Sequence, residues 1–182
     1  MTAPVRVRVS EEEYLATMTD EKPSLEFVNG EVFQKPMTKR DHQDVSKRIL
    51  EAMLDLEKRT RGYFTWEATT NLSVGDDRRY RVPDLAYWAP GRPASQPNEV
   101  YLPPTLAIEV PPDGQSMNEL RAKCQEYLSH GIEECWLFDP IRRTVEVFDE
   151  SRNGVKIDSE ATLTSEKVAG FSVPISDLWA GL

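Results

Sequence analysis

Residues 104–116 read PTLAIEVPPDGQS, and the fold turns on them. Leu106, Ala107, Ile108 and Val110 form a short apolar run that predicts a strand entering a core. Glu109 interrupts the run. A carboxylate in a buried strand is costly unless a metal ion or a partner charge answers it, so the role of Glu109 is the question this sequence poses.

Downstream, SMNELRAKCQEYLSHG (116–131) predicts a helix, with Ser116 as N-cap, Glu119 three residues on and Gly131 placed to end it. ECWLFDP (134–140) then reads as a buried strand, and TVEVFD (144–149) as a strand that pairs with it or extends the sheet. A further strand is expected near ATLTS (161–165), and a short last helix in PISDLWAG (174–181).

Upstream, Ser10 and Glu13 stand in capping-box spacing, which starts a short helix in SEEEYLATM (10–18). LEFVNGEVFQ (25–34) carries two alternating apolar stretches around Asn29-Gly30, the dipeptide of a type I′ hairpin turn. Val45, Ile49, Met53 and Leu56 recur at spacings of four and three, placing one apolar face on a helix from about Arg40 to Arg59. YFTWEATTNLSV (63–74) and YRVPDLAYW (80–88) read as two strands around a turn at GDDRR (75–79). The Pro- and Gly-rich stretch APGRPASQPNEVYLPP (89–104) is the longest expected loop. The order helix, hairpin, helix, three strands, helix, strands describes a mixed sheet flanked by helices, an α/β or α+β layout.

The 182 residues suit one domain, 1–182, with 39% hydrophobic and 29% charged residues. No stretch reaches the roughly 18 apolar residues of a membrane span, and MTAPVRVRVSEEEY lacks the apolar core of a signal peptide, so a soluble, cytoplasmic protein is expected. Cys124 and Cys135, with two histidines in the chain, do not make a zinc cage and read as reduced, core-facing thiols. The net charge of -9 argues against a nonspecific nucleic-acid coat protein but leaves a nuclease open, since a metal site must itself be acidic. Basic clusters at 47–48, 57–61 and 78–81 can serve a phosphate backbone or form ordinary solvated faces.

Asp84, after a proline in a strand, and Glu109, on the next strand, can grip a hard divalent ion such as Mg²⁺, with Lys123 on the following helix to orient a water. The other reading is structural: Asp84 forms a turn, Glu109 pairs with Lys123 or Arg121, and Lys123 pairs with Glu119 on the helix surface. Spacing alone leaves both open.

The stretches RVPDLAYW (81–88), LAIEV (106–110), RAKCQEYLSHGIEECWLFDP (121–140) and VAGFSVPISDLW (168–179), in this order, resemble the Uma-two family of restriction-endonuclease-like proteins, within the PD-(D/E)xK nuclease superfamily. LEFVNGE (25–31) and His42 extend the resemblance over nearly the whole chain. The resemblance implies a restriction-endonuclease-like fold: a mixed central sheet flanked by helices, with an N-terminal helix and hairpin. It also implies a Mg²⁺- or Mn²⁺-dependent endonuclease acting on DNA. By the same resemblance Asp84 and Glu109 are metal ligands and the main-chain carbonyl of Val110 a third. The superfamily's usual lysine position is Pro111 here, and Lys123, fourteen residues after Glu109, takes the role of positioning the nucleophile. Glu26 would extend the acidic pocket, and His42 would contact a phosphate or shuttle a proton. A homodimer, with Trp136 or loop aromatics at its interface, follows by fold analogy.

The chain departs from the family after Glu-Val, where PPDGQS replaces a Ser-Pro-Ser type turn and Asp113 adds a negative charge. That departure and the net charge support an alternative, a catalytically silent module of the same fold that binds a protein or nucleic-acid partner. A hydrolase of a small phosphorylated substrate is a third reading, which a narrow pocket would favour.

Overall fold

The computed structural model of the chain describes residues 7–17, 19, 21–35, 40–94, 100–111 and 115–180, and of residues 40–44 the backbone alone. β1 (Val7–Arg8) leads into α1 (Glu11–Thr17), where the Glu13 N–H donates to Ser10 Oγ at 3.1 Å. β2 (Leu25–Val28) and β3 (Glu31–Gln34) form the hairpin, with Asn29 (φ 50°) and Gly30 (φ 90°) in the left-handed conformations its turn requires. In α2 (Arg40–Thr60) the face made by Val45, Ile49, Met53 and Leu56 is wholly buried. Each such side chain stabilises the fold by roughly 1.5–3 kcal/mol.

The next two segments were expected to be continuous strands, and each is broken in the middle. The first becomes β4 (Tyr63–Trp66) and β5 (Thr70–Asn71), the second β6 (Arg79–Arg81) and β7 (Leu85–Trp88). Asp84 therefore sits in a bend just before β7 and not inside a strand. Pro83 has no N–H for a ladder, and Glu67 takes φ 46° while its N–H bonds the Asp84 carbonyl at 3.1 Å. The two breaks are thus side by side, and the chain crosses from one sheet to another at both.

The remaining elements are β8 (Leu106–Glu109), α3 (Met117–Ser129), β9 (Glu134–Asp139), β10 (Thr144–Asp149), β11 (Asn153–Ile157), β12 (Thr162–Thr164), β13 (Ser172–Pro174) and α4 (Ile175–Leu178). The large sheet runs β11-β10-β9-β8-β7-β4, with β8 and β9 parallel across the α3 crossover and the other pairs antiparallel. The smaller sheet runs β1-β3-β2-β6-β5, and β12 pairs with β13. The mixed sheet flanked by helices is the layout the element order implied. β1, β11 and β13 had not been anticipated.

β8 and β9 are buried on both faces. Leu106, Ile108, Trp136 and Phe138 pack with α2 and the C-terminal elements, while Ala107, Cys135 and Leu137 pack under Leu120, Cys124 and Tyr127 of α3. Side chains alternate along a strand, so Glu109 shares the α3 side with Ala107. The two thiols are free and buried, with Sγ atoms 2.8 Å apart. Trp136, expected as an interface residue, is fully buried against Phe171 and cannot serve as one. Among the described residues no helix is long and apolar enough to cross a membrane.

Candidate functional site

Among the described residues, the point where the chain changes sheets brings five charged side chains together. Glu26 comes from β2 of the smaller sheet, Lys35 from just after β3, Asp84 from the bend before β7, Glu109 from the end of β8, and Lys123 from α3. Register explains the closeness of the two central carboxylates: Leu85 faces Ile108 across the β7–β8 pair, so Asp84 and Glu109 are the next residues along that ladder. Ser116 Oγ accepts the Glu119 N–H at 3.4 Å and fixes the start of α3. Lys123 and Tyr127, one turn apart, then share the face turned to the sheet.

Lys123 Nζ lies 2.7 Å from Glu26 Oε1 and 3.0 Å from Glu109 Oε1. The Tyr127 hydroxyl donates to the same Glu109 oxygen at 2.5 Å. Lys35 Nζ donates to Asp84 Oδ1 and to the Val82 carbonyl, each at 2.7 Å, and the other Asp84 oxygen accepts the Val110 N–H at 2.7 Å. Glu26 is closed on its far side by Arg81, at 2.8 Å, and by the Val82 N–H, at 3.0 Å. Arg81 in turn grips Glu126 with two parallel bonds of 2.7 and 2.8 Å.

Electrostatics sort the carboxylates. Burial works to raise Glu26, but Lys123, Arg81 and Lys35 together outweigh it and bring its carboxyl down to about 2. Burial pushes Glu109 up, Asp84 and Glu26 push the same way, and Lys123 and Lys35 oppose them without prevailing. Lys123 stays protonated despite its burial because Glu109 and Glu26 face it, and Lys35 does so because of Asp84 and Glu109. Burial, followed by the Glu109 charge, lifts the Tyr127 hydroxyl well above its ordinary value and keeps it a donor. Glu109, 3% exposed, is thus the carboxylate whose charge is hardest to hold, and an ammonium and a phenol answer it.

Of the residues expected at a site, Asp84, Glu109, Lys123 and Glu26 meet here. Val110 contributes its N–H to Asp84, and its side chain is in the core. The side chain of His42, and Asp113, lie outside the described residues. Arg121, weighed as a partner of Glu109, instead holds Glu146. Lys35, Arg81 and Tyr127 were missed. Tyr127 was within reach of sequence reasoning as the residue one turn after Lys123. Arg81 had been grouped with a basic cluster, yet it and Arg79 face Glu26, Glu126 and Asp77 rather than solvent phosphate.

A family model described as "Putative restriction endonuclease", Uma2, matches residues 11–176. The chain belongs to the Uma2 family. The resemblance drawn from its motifs is therefore correct, and it supports a nuclease-like module. A crystal structure of "a putative nuclease belonging to DUF820" from Anabaena variabilis is similar to this Uma2 chain with a TM-score of 0.79 at 22% sequence identity, over 94% of this chain and 97% of that one. At that identity the likeness concerns the fold. Among curated proteins there is no match.

The donor chemistry suits a hard divalent ion, since Glu26, Asp84 and Glu109 offer carboxylate oxygens. Their arrangement does not. Among the described residues no group of three or more His, Cys, Asp or Glu side chains is placed to hold a metal ion. Lys35 and the Val110 N–H hold the two Asp84 oxygens, Lys123, Arg81 and the Val82 N–H hold those of Glu26, and Lys123 and Tyr127 hold Glu109 Oε1.

Proposed function

We propose that this Uma2 chain is a restriction-endonuclease-like module that binds a protein or nucleic-acid partner and whose carboxylate–lysine cluster is catalytically silent. The observation that carries this reading is the pairing at Asp84, where Lys35 and the Val110 N–H hold one oxygen each. The cluster as it stands is a set of ion pairs that ties the small sheet, the large sheet and α3 together. The surface agrees with a module that does not track a nucleic-acid backbone by charge: the net charge is -9, and Lys47 and Arg59 stand beside Glu51 and Asp55.

A second reading is favoured by a different observation, the convergence of Asp84, Glu109 and Lys123 from three separate elements. It is the metal-dependent hydrolysis of DNA phosphodiester bonds, with Mg²⁺ or Mn²⁺ held by Asp84, Glu109, the Val110 carbonyl and Glu26, with Lys123 positioning the nucleophile and His42 contacting a phosphate or shuttling a proton. A bound divalent ion would there supply an activated water and charge stabilisation at phosphorus. A homodimer in that reading would use an exposed edge such as β4, where Trp66 is 61% exposed.

Incubation with plasmid, linear duplex, single-stranded DNA and RNA in Mg²⁺ and in Mn²⁺ separates the two. The silent module leaves all four intact. Metal-dependent cutting that disappears in both Asp84→Ala and Glu109→Ala would replace it with the hydrolase.

A further inference from the structure

Lys35 is the member of the cluster for which the chemistry of the site has no other use. Its Nζ donates to Asp84 Oδ1 and the Val82 carbonyl, each at 2.7 Å, and it is drawn toward Glu109 and Glu26 as well. An ammonium held by a carboxylate and a carbonyl oxygen at such distances, with further carboxylates around it, has the surroundings of a hard cation in an oxygen-lined site. We infer that Lys35 stands in the place of a divalent cation at Asp84, and that removing this side chain opens the cluster to a metal ion.

Among the described residues, Glu26, Asp84 and Glu109 bring three negative charges against two positive ones from Lys35 and Lys123, with Arg81 and Glu126 cancelling beside them. A dication entering this cluster changes its balance from −1 to +1 and must crowd two ammoniums. With Lys35 neutral the balance is −2, and a dication brings it to zero. A lysine is a compact point charge on a flexible stem, so a cation can replace it in a way that it cannot replace an arginine fork locked on a carboxylate. Lys35 also sits at the end of its strand, outside the hairpin ladder, which ends at the Leu25–Gln34 pair. Its removal therefore leaves that ladder intact.

The inference rests on the silent-module reading and is tested apart from any activity. Mn²⁺ is titrated calorimetrically into the wild type, Lys35→Met and the double variant Lys35→Met/Asp84→Asn, with the melting temperature of each followed as metal is added. Lys35→Met is expected to bind Mn²⁺ at least tenfold more tightly than the wild type and to melt higher with metal than without, and the double variant is expected to lose both gains. If Lys35→Met does not fold, Lys35→Gln, which keeps an N–H toward Asp84, carries the same expectation. Folded variants that bind Mn²⁺ no more tightly than the wild type overturn the inference. If the wild type also binds no Mn²⁺, the silent module still stands; if the wild type binds it tightly, that reading falls too.

Discussion

Two groups of buried carboxylates lie in the large sheet and its margins, and they are answered in different ways. On β9 and β10 each has its own geometric partner. Glu146 takes two nitrogens of Arg121 at 2.7 and 2.6 Å, Glu134 accepts from Trp136 Nε1, Arg152 and Ser165, and Asp139 caps the turn through the Ile141 and Arg142 N–H groups. At the sheet junction, among the described residues, Lys35 faces Asp84 while Lys123 is shared between Glu26 and Glu109. The first group is built of directional bonds that specify structure. The second is a pool of point charges in which one cation can substitute for another, and that is the property a site needs.

Removing Lys123 is expected to have the largest effect. Lys123→Met leaves Glu26 and Glu109 short of a cation in a place water barely reaches, with a loss of about 3–5 kcal/mol in urea unfolding. Arg121→Met, by contrast, removes a guanidinium whose side chain is 36% exposed, and Glu146 can then recruit water, so the loss is expected to be about 1–2 kcal/mol. Equal losses would mean that the shared lysine and the arginine fork hold their buried carboxylates alike.

Acid titration has the next largest expected effect. The Glu26 carboxyl has a folded value of about 2 against an ordinary 4.5, so its contribution is present above the ordinary value and is lost as the pH falls toward 2. The shift corresponds to roughly 3 kcal/mol. Glu109, raised by burial, works the other way: its contribution is present at low pH and fades as the pH rises through its folded value. Unfolding free energies of the wild type should therefore fall between pH 5 and 2, and Glu26→Gln should flatten that fall. An unchanged slope in Glu26→Gln would place the acid sensitivity elsewhere. The smallest effect belongs to the surface: Asp55→Asn, which opens the Arg59 pair on α2, should leave the melting temperature unchanged.

Much of the fold was legible because its signals are local. Asn29-Gly30 fixes the hairpin, and the spacing of Val45, Ile49, Met53 and Leu56 fixes the buried face of α2. The breaks between β4 and β5 and between β6 and β7 were not, because they exist to carry the chain between two sheets. Glu67 at φ 46° gives no sign of this in its own sequence neighbourhood. β11, mostly exposed, lacks the alternation that announces a strand. At the site, Asp84, Glu109 and Lys123 were legible through their motifs, and Glu26 through its place in the hairpin. Lys35 was not: its partner lies 49 residues away, and no local pattern ties an ammonium at the end of one hairpin to a bend in another sheet.

The Glu109 carboxylate is answered by the Lys123 ammonium, 3.0 Å away. A double-mutant cycle with Glu109→Gln, Lys123→Met and the pair together, read by urea unfolding at neutral pH, measures that coupling directly. The expected coupling is favourable and about 2 kcal/mol or more, so that the double variant is much less destabilised than the sum of the two single changes. Simple additivity would contradict it, and would mean that Lys123 serves Glu26 alone while something other than this ammonium answers Glu109.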